Sequence, residues 1–352
     1  MTVNSEMLVL AREAKGIVQG DFAKLLGVSQ GTVSRWETGV LEPTSNIIEQ
    51  YSHHLDVTPE FFQKAHQVYG FNSTVFFHRR RETGTDKALR KLHARLNILR
   101  MRIRTLLTSA HVESPFQFRR FDLADYQGRV ETVAQMVRAN WRMAPGYVRS
   151  MTKAIEDAGG MLFRMDFGTQ KIDAISEWIP GHPPIILLNS NSAISASRLR
   201  LTLAHETAHL MMHQTSDGLS VEDEANRFAG EFLMPRREIK ASLYRLNLAK
   251  LLDLKEEWKV SMAALVYHAK RLGTITEAQF RYLNINLRKR WGMNEPYEEH
   301  MPIEKPTLVQ QLVDVHMKEF GYSSAEMARI LCYNKPADFD SDFGGVSRMR
   351  VV

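Results

Sequence analysis

The chemistry in this 352-residue sequence starts at His205-Glu206-Thr207-Ala208-His209. Residues four apart share one face of an α-helix, so on a helix His205 and His209 reach a single metal ion with Glu206 beside it. Imidazole pairs suit zinc, and a catalytic zinc keeps three protein ligands and one position open for water. The metal lowers the pKa of that water, and a neighbouring carboxylate takes its proton as it attacks a carbonyl. That is the work expected of Glu206. His213, one turn beyond His209, reads as a helix-end group or an outer partner of a ligand, since a fourth protein ligand would close the site. Tyr244, Tyr267 and His268 are candidates for stabilising the oxyanion.

A second constellation lies near the N-terminus, where residues 19–38 read QGDFAKLLGVSQGTVSRWET. A helix-turn-helix needs a small residue where its helices touch, a glycine in the turn and a β-branched apolar residue on the buried side of its second helix. Ala23, Gly27 and Val33 fill those places. Ser29 is a natural N-cap, and Gly39 can close the helix in the left-handed conformation. The exposed start of the second helix is then Ser29, Gln30 and Gly31, with Arg35 one turn on. Gln pairs with adenine and Arg with guanine in the major groove. The stretch resembles the Xre type of helix-turn-helix over roughly residues 4–66, which implies operator DNA as a partner.

These sites need elements to carry them. Residues 1–66 read as the helix-turn-helix bundle and 67–124 as a linker followed by a basic amphipathic helix. Residues 125–291 read as the metal-bearing domain, and 292–352 as a Pro- and Glu-rich linker with a small helical segment of two short helices and a frayed tail. In the basic helix Leu89, Leu92, Leu96, Leu99, Ile103 and Leu106 form one stripe. It fits a helix packed on its own domain or a dimerising coiled coil, so a homodimer is one expectation. Two helices are expected between 125 and 158, the first ending at Pro145-Gly146. Met161–Met165 and Ile185–Leu188 read as short strands, and the pattern is helical from Ser197 almost to 291. The fold class is mainly α with a small β component.

Composition sets the surroundings. Hydrophobic residues make up 44% and charged residues 24%, an ordinary globular balance. No apolar run is long enough for a membrane span, and the first thirty residues lack the form of a secretory signal. One cysteine, Cys332, excludes an internal disulfide framework and fits a reducing compartment, so a cytoplasmic location is expected. The net charge of +6 is uneven: residues 1–66 hold five basic and eight acidic groups, and residues 79–104 hold ten basic and two acidic ones. The second stretch supplies the long-range pull on a polyanion. Single-stranded DNA acting there as a switch for the other domain is a further expectation.

The stretches LTLAHETAHL, EDEANRFAGEFLMP and WKVSMAALVYHA are similar, from about residue 125 to 300, to the ImmA/IrrE family of metallopeptidases, which also has fusions to an Xre-type domain. The resemblance implies a zincin-like fold and cleavage of a DNA-bound repressor. It implies that His205, His209 and a glutamate of the EDEAN stretch bind Zn2+, with Glu206 as general base. Helical geometry chooses between the two glutamates flanking Asp223. At about 100° per residue, Glu222 shares a face with Ala225, Asn226, Ala229 and Leu233, small at first and then apolar, which suits packing on the His205–His209 helix. Glu224 points the other way, beside Arg227 and Glu231, where solvent is expected. The third ligand is therefore expected to be Glu222, with Asn226 holding a histidine ligand. Ser220 and Asp223 resemble a capping box.

The function expected is a DNA-binding zinc endopeptidase that regulates transcription by cleaving a repressor, either a partner or itself at the linkers 67–86 and 292–305. The alternative is a transcription regulator whose zinc domain senses a ligand or partner without proteolysis.

Overall fold

The computed structural model describes residues 2–65, 68–69, 86–110, 112–192, 194–213, 220–292, 294–302 and 304–343. The described residues are mainly helical with one small sheet, in agreement with the fold class read from the sequence. No helix among the described residues is long and apolar enough to cross a membrane. The described residues form two compact units. One holds those up to 112 and those from 307 onward, the other those from 113 to 306.

The first unit opens with α1 (Ser5–Lys15), α2 (Gln19–Leu25), α3 (Gln30–Glu37) and α4 (Ser45–Leu55). Gly27 sits at φ 68° in the turn between α2 and α3, a left-handed conformation open to glycine. Ser29 caps α3 by accepting from the Thr32 N–H at 3.1 Å. Ala23 and Val33 are buried between the helices, as their types predict. Phe22 meets Tyr51 edge-on at 4.7 Å, within a core that also holds Trp36, Phe61 and Phe62. Within the bundle Arg12 grips Glu37 through two bonds, Nε to Oε1 at 2.6 Å and Nη2 to Oε2 at 2.8 Å, and Gln19 Nε2 donates to Glu37 Oε2 at 3.0 Å.

The long helix α5 (Asp86–Ser109) packs against α1. Its leucine stripe is buried in the folded chain, and Ala94, Ile98 and Met101 join the core of the bundle. Two of its arginines are internal. Arg100 donates to Asn97 Oδ1 at 2.9 Å and faces the Tyr69 ring, while Arg102 lies 3.4 Å from the centre of the Tyr333 ring and donates to the Leu331 carbonyl. Burial pulls Arg100 down to about 10. The expected linker at 67–86 falls almost wholly outside the described residues.

The second unit begins with α6 (Val130–Asn140) and α7 (Met151–Asp157). The first of these stops short of Pro145, with Arg142 taking φ 48° just after it. A three-stranded sheet follows in the order β1-β3-β2, from β1 (Met161–Met165), β2 (Ala174–Glu177) and β3 (Ile185–Asn189). Strands β1 and β3 are the two the sequence predicts. They run parallel, with Met161 opposite Ile185, and the antiparallel β2 sets Ala174 opposite Leu188. Every residue of β2 and β3 is buried. Helix α8 (Ala196–Met212) packs on β2 and on α9 (Val221–Leu233), and α9 packs on α6. Then come α10 (Arg236–Ile239), α11 (Leu248–Trp258), α12 (Met262–Arg271) and α13 (Glu277–Trp291).

The segment read as a linker at 292–305 is instead bound to this unit by three carboxylates, each at a helix start. Glu295 accepts from the N–H groups of Met262 and Ala263 at 2.7 and 3.1 Å. Glu298 accepts from Ser197 N at 3.0 Å and its hydroxyl at 2.6 Å, and Glu304 from Met151 N and Thr152 N at 3.0 and 2.8 Å. They fill N-terminal N–H groups that lack helical partners. The same carboxylates meet buried cations: Lys255 bonds Glu295 and Glu298 at 2.8 and 2.6 Å, and Arg200 bonds Glu304 at 2.5 Å.

The residues after 306 return to the first unit as α14 (Leu308–Asp314), α15 (Ser324–Ile330) and α16 (Pro336–Phe343). The expected frayed tail is thus helical to 343, with Phe339 and Phe343 buried. Thr58 N donates to the Cys332 carbonyl, and Cys332 belongs to the bundle's core.

Candidate metal centre and nucleic-acid face

Helix α8 starts at Ser195, which caps it by accepting from Arg198 N, and carries the HExxH sequence toward its C-terminal end. As the four-residue spacing requires, His205 and His209 lie side by side, with their Nε2 atoms 2.9 Å apart. Glu222, in the first turn of α9, brings Oε2 to 3.3 Å from His205 Nε2 and Oε1 to 3.5 Å from His209 Nε2. These three residues offer ligand atoms that all lie within 4.8 Å of one another.

The hydrogen-bond partners of the three imidazoles set which ring nitrogens carry hydrogen. Asn226 Oδ1 lies 3.1 Å from His205 Nδ1 and can only accept, so in the neutral ring Nδ1 carries the hydrogen and Nε2 keeps its lone pair. Glu224 Oε2 lies 3.0 Å from His213 Nε2, which donates to it. His213 Nδ1 is then the acceptor for His209 Nδ1 at 2.9 Å, and His209 Nε2 too keeps its lone pair. Two nitrogen lone pairs and a carboxylate therefore converge with no donor among them, a set that a cation completes and a proton-poor cavity does not. Burial lowers the pKa of His209 and pushes His213 down to about 4.

Glu206 is fully buried, and Ser176 of β2 donates to its Oε2 at 2.7 Å. The sequence reading missed Ser176, because β2 itself was unmarked. It also set Glu224 toward solvent beside Glu231. Glu224 instead partners His213, and Glu231 is fully buried, accepting from Gln135 Nε2 at 2.7 Å while burial raises its pKa. Nor does Ser220 form a capping box: it sits at φ −89° and ψ −16° with no side-chain cap. Tyr267 and His268, with Asn226 and Gly230, line a cavity of about 550 Å³ in this unit, whereas Tyr244 is exposed and does not line it. Burial pushes His268 down to about 4, and a Cβ on Gly230 would stand 2.9 Å from its Nδ1.

In the first unit Ser29, Gln30, Gly31 and Arg35 are all exposed along the start of α3. Gln30 Nε2 reaches Gln19 Oε1 at 3.5 Å. Gln19, the first residue of α2, is thus a neighbour of this face that the sequence reading did not name.

Residues 155–270 match the family model for the IrrE N-terminal-like domain, Peptidase_M78. Residues 8–62 match the family model for a helix-turn-helix. No curated protein and no solved structure matches the chain significantly. The first match spans β1 to β3, α8, α9 and nearly all of α12, and the second spans the bundle, so both fall on the elements that carry the two constellations. The chain therefore joins an Xre-type helix-turn-helix domain to a metallopeptidase-type domain of the ImmA/IrrE kind.

Proposed function

We propose that this protein is a zinc-dependent endopeptidase that binds operator DNA through its helix-turn-helix and regulates transcription by cleaving a repressor protein. The observation that carries the reading is the convergence of His205 Nε2, His209 Nε2 and Glu222 with their tautomers set from outside by Asn226 and by the Glu224–His213 pair. Zinc held there would polarise the scissile carbonyl and acidify a water. Glu206 takes the proton of the attacking water and passes it to the leaving amine, and Ser176 orients its carboxylate for that work. The cavity beside Asn226 receives a side chain next to the scissile bond. Of the two linkers considered for self-cleavage, 292–305 is held at three helix starts, which favours a separate repressor over that site.

Zinc content and cleavage of a repressor encoded beside the gene test this together. Glu206→Gln should keep stoichiometric zinc and lose about 10²–10⁴-fold in cleavage rate. A variant that cleaves as fast as the parent overturns the mechanism. A parent that holds zinc and binds DNA yet cleaves nothing favours the sensor reading.

A further inference from the structure

The helix-turn-helix bundle poses an electrostatic problem that the fold answers. Phosphate neutralisation supplies much of the affinity of a DNA-binding protein, yet residues 1–66 hold more acidic than basic groups. Three of those basic groups face carboxylates of their own segment: Arg12 with Glu37, Lys15 with Asp56 and Lys24 with Asp21. Arg35 and Lys64, the two that remain, cannot supply what a duplex backbone demands.

Helix α5 lies outside the residues matched as a helix-turn-helix, but its first turns lie against the bundle. Lys87, Arg90 and Lys91 share one face at spacings of three and four, and all three are exposed. Together with Gly16, Val18 and Gln19 they line a cavity of about 280 Å³. The Lys91 chain crosses Gly16 so closely that a Cβ there would stand 3.0 Å from its Cδ. Gln19 lies on both surfaces, lining this cavity and touching Gln30 at the head of the recognition helix. Among the described residues Glu13 is the one carboxylate lining the cavity, and burial raises its pKa. The cations remain in excess. Arg100 and Arg102, by contrast, are internal and out of a polyanion's reach.

We propose that Lys87, Arg90 and Lys91 form a second DNA contact, blind to sequence, that continues the reading face past Gln19 and grips duplex phosphates flanking the operator. This rests on the reading of the bundle as a DNA-binding domain. The contact takes backbone phosphate only, because the three side chains are flexible point or fork donors beside a turn, with no element between them to enter a groove.

The test uses the full chain, an operator duplex selected from a random library, and a random duplex of equal length, over 50–200 mM KCl. Replacing Lys87, Arg90 and Lys91 with Gln should lower the slope of log affinity against log salt by about 2.7, at about 0.9 for each phosphate no longer neutralised. Across that range the parent should then lose about 40-fold more affinity than the variant. Both duplexes should weaken by the same factor, leaving their ratio unchanged. Arg104→Gln, on the same helix but roughly 25 Å further along, should leave the slope as it is. An unchanged slope in the triple variant overturns the proposal, as does a change in the operator-to-random ratio or tighter binding of a single strand than of the duplex. A parent that binds no duplex at all instead overturns the DNA-binding reading beneath it.

Discussion

At the start of α3 the side chains proposed to read DNA stand in solvent, fixed by little more than the Ser29 cap and a 3.5 Å contact between Gln30 and Gln19. At the candidate metal centre each imidazole is held from behind, His205 by Asn226 and His209 by His213, which Glu224 holds in turn. The difference follows from what each surface must bind. A duplex brings its own geometry and a large charge, so side chains can adjust to it and water can fill the gaps. A single ion brings only charge, so the protein must supply the geometry in advance. Rigidity in the DNA-binding unit lies one layer below its face, in the buried grip of Arg12 on Glu37.

Four substitutions press on this contrast. The largest effect is expected from Glu222→Ala, which removes a ligand and should cost on the order of 10³-fold in zinc affinity, about a third of the binding free energy of a structural zinc site. Glu224→Ala should cost only about 10–100-fold, because it removes support for His213 and not a ligand. Zinc titration separates the two, and tight binding by Glu222→Ala would reverse their roles. Next comes Arg12→Ala, which leaves Glu37 buried without its cation and should destabilise the first unit by about 3–5 kcal/mol in denaturant unfolding, with zinc content unchanged. A destabilisation below about 1 kcal/mol would show that the bundle does not rest on that pair. The smallest effect is Arg35→Ala, about 1–3 kcal/mol of operator preference with no change in fold or zinc. If Arg35→Ala instead unfolds the bundle, the reading face is more rigid than the contrast allows.

Much of the site was legible because its determinants are local. Four-residue spacing put His205 and His209 together, and helical angle put Glu222 on their side, although it sent Glu224 to solvent and not to His213. Ser29, Gly27, Ala23 and Val33 announced their turn for the same reason: each acts on neighbours a few residues away. What escaped the sequence depends on distant partners. Strand β2, Ala-Ile-Ser-Glu, is too short to alternate and is recognisable only once β3 lies beside it. Glu231 reads as a surface acid until Gln135 of α6 is seen against it. Glu295, Glu298 and Glu304 have the composition of a linker, because the helix starts that bind them lie up to 153 residues away. The tail from 336 reads as frayed since Phe339 and Phe343, which stack on each other and meet Tyr333 edge-on, are too few apolar residues to mark a helix in the sequence.

Those three glutamates bear on the order in which the protein is made. Domains generally fold as they leave the ribosome, N-terminal part first. Here Lys255 and Arg200, neither with any exposed surface, have no carboxylate partner until residues 295–304 are synthesised. A nascent chain ending at 291 would have to bury both cations unpaired, at several kcal/mol each. The first unit waits as well, since Cys332 belongs to a core whose other buried members are complete by Met101. Translation as far as about residue 304 thus precedes the settling of the HExxH helix, whose first-turn Ser197 N–H donates to Glu298.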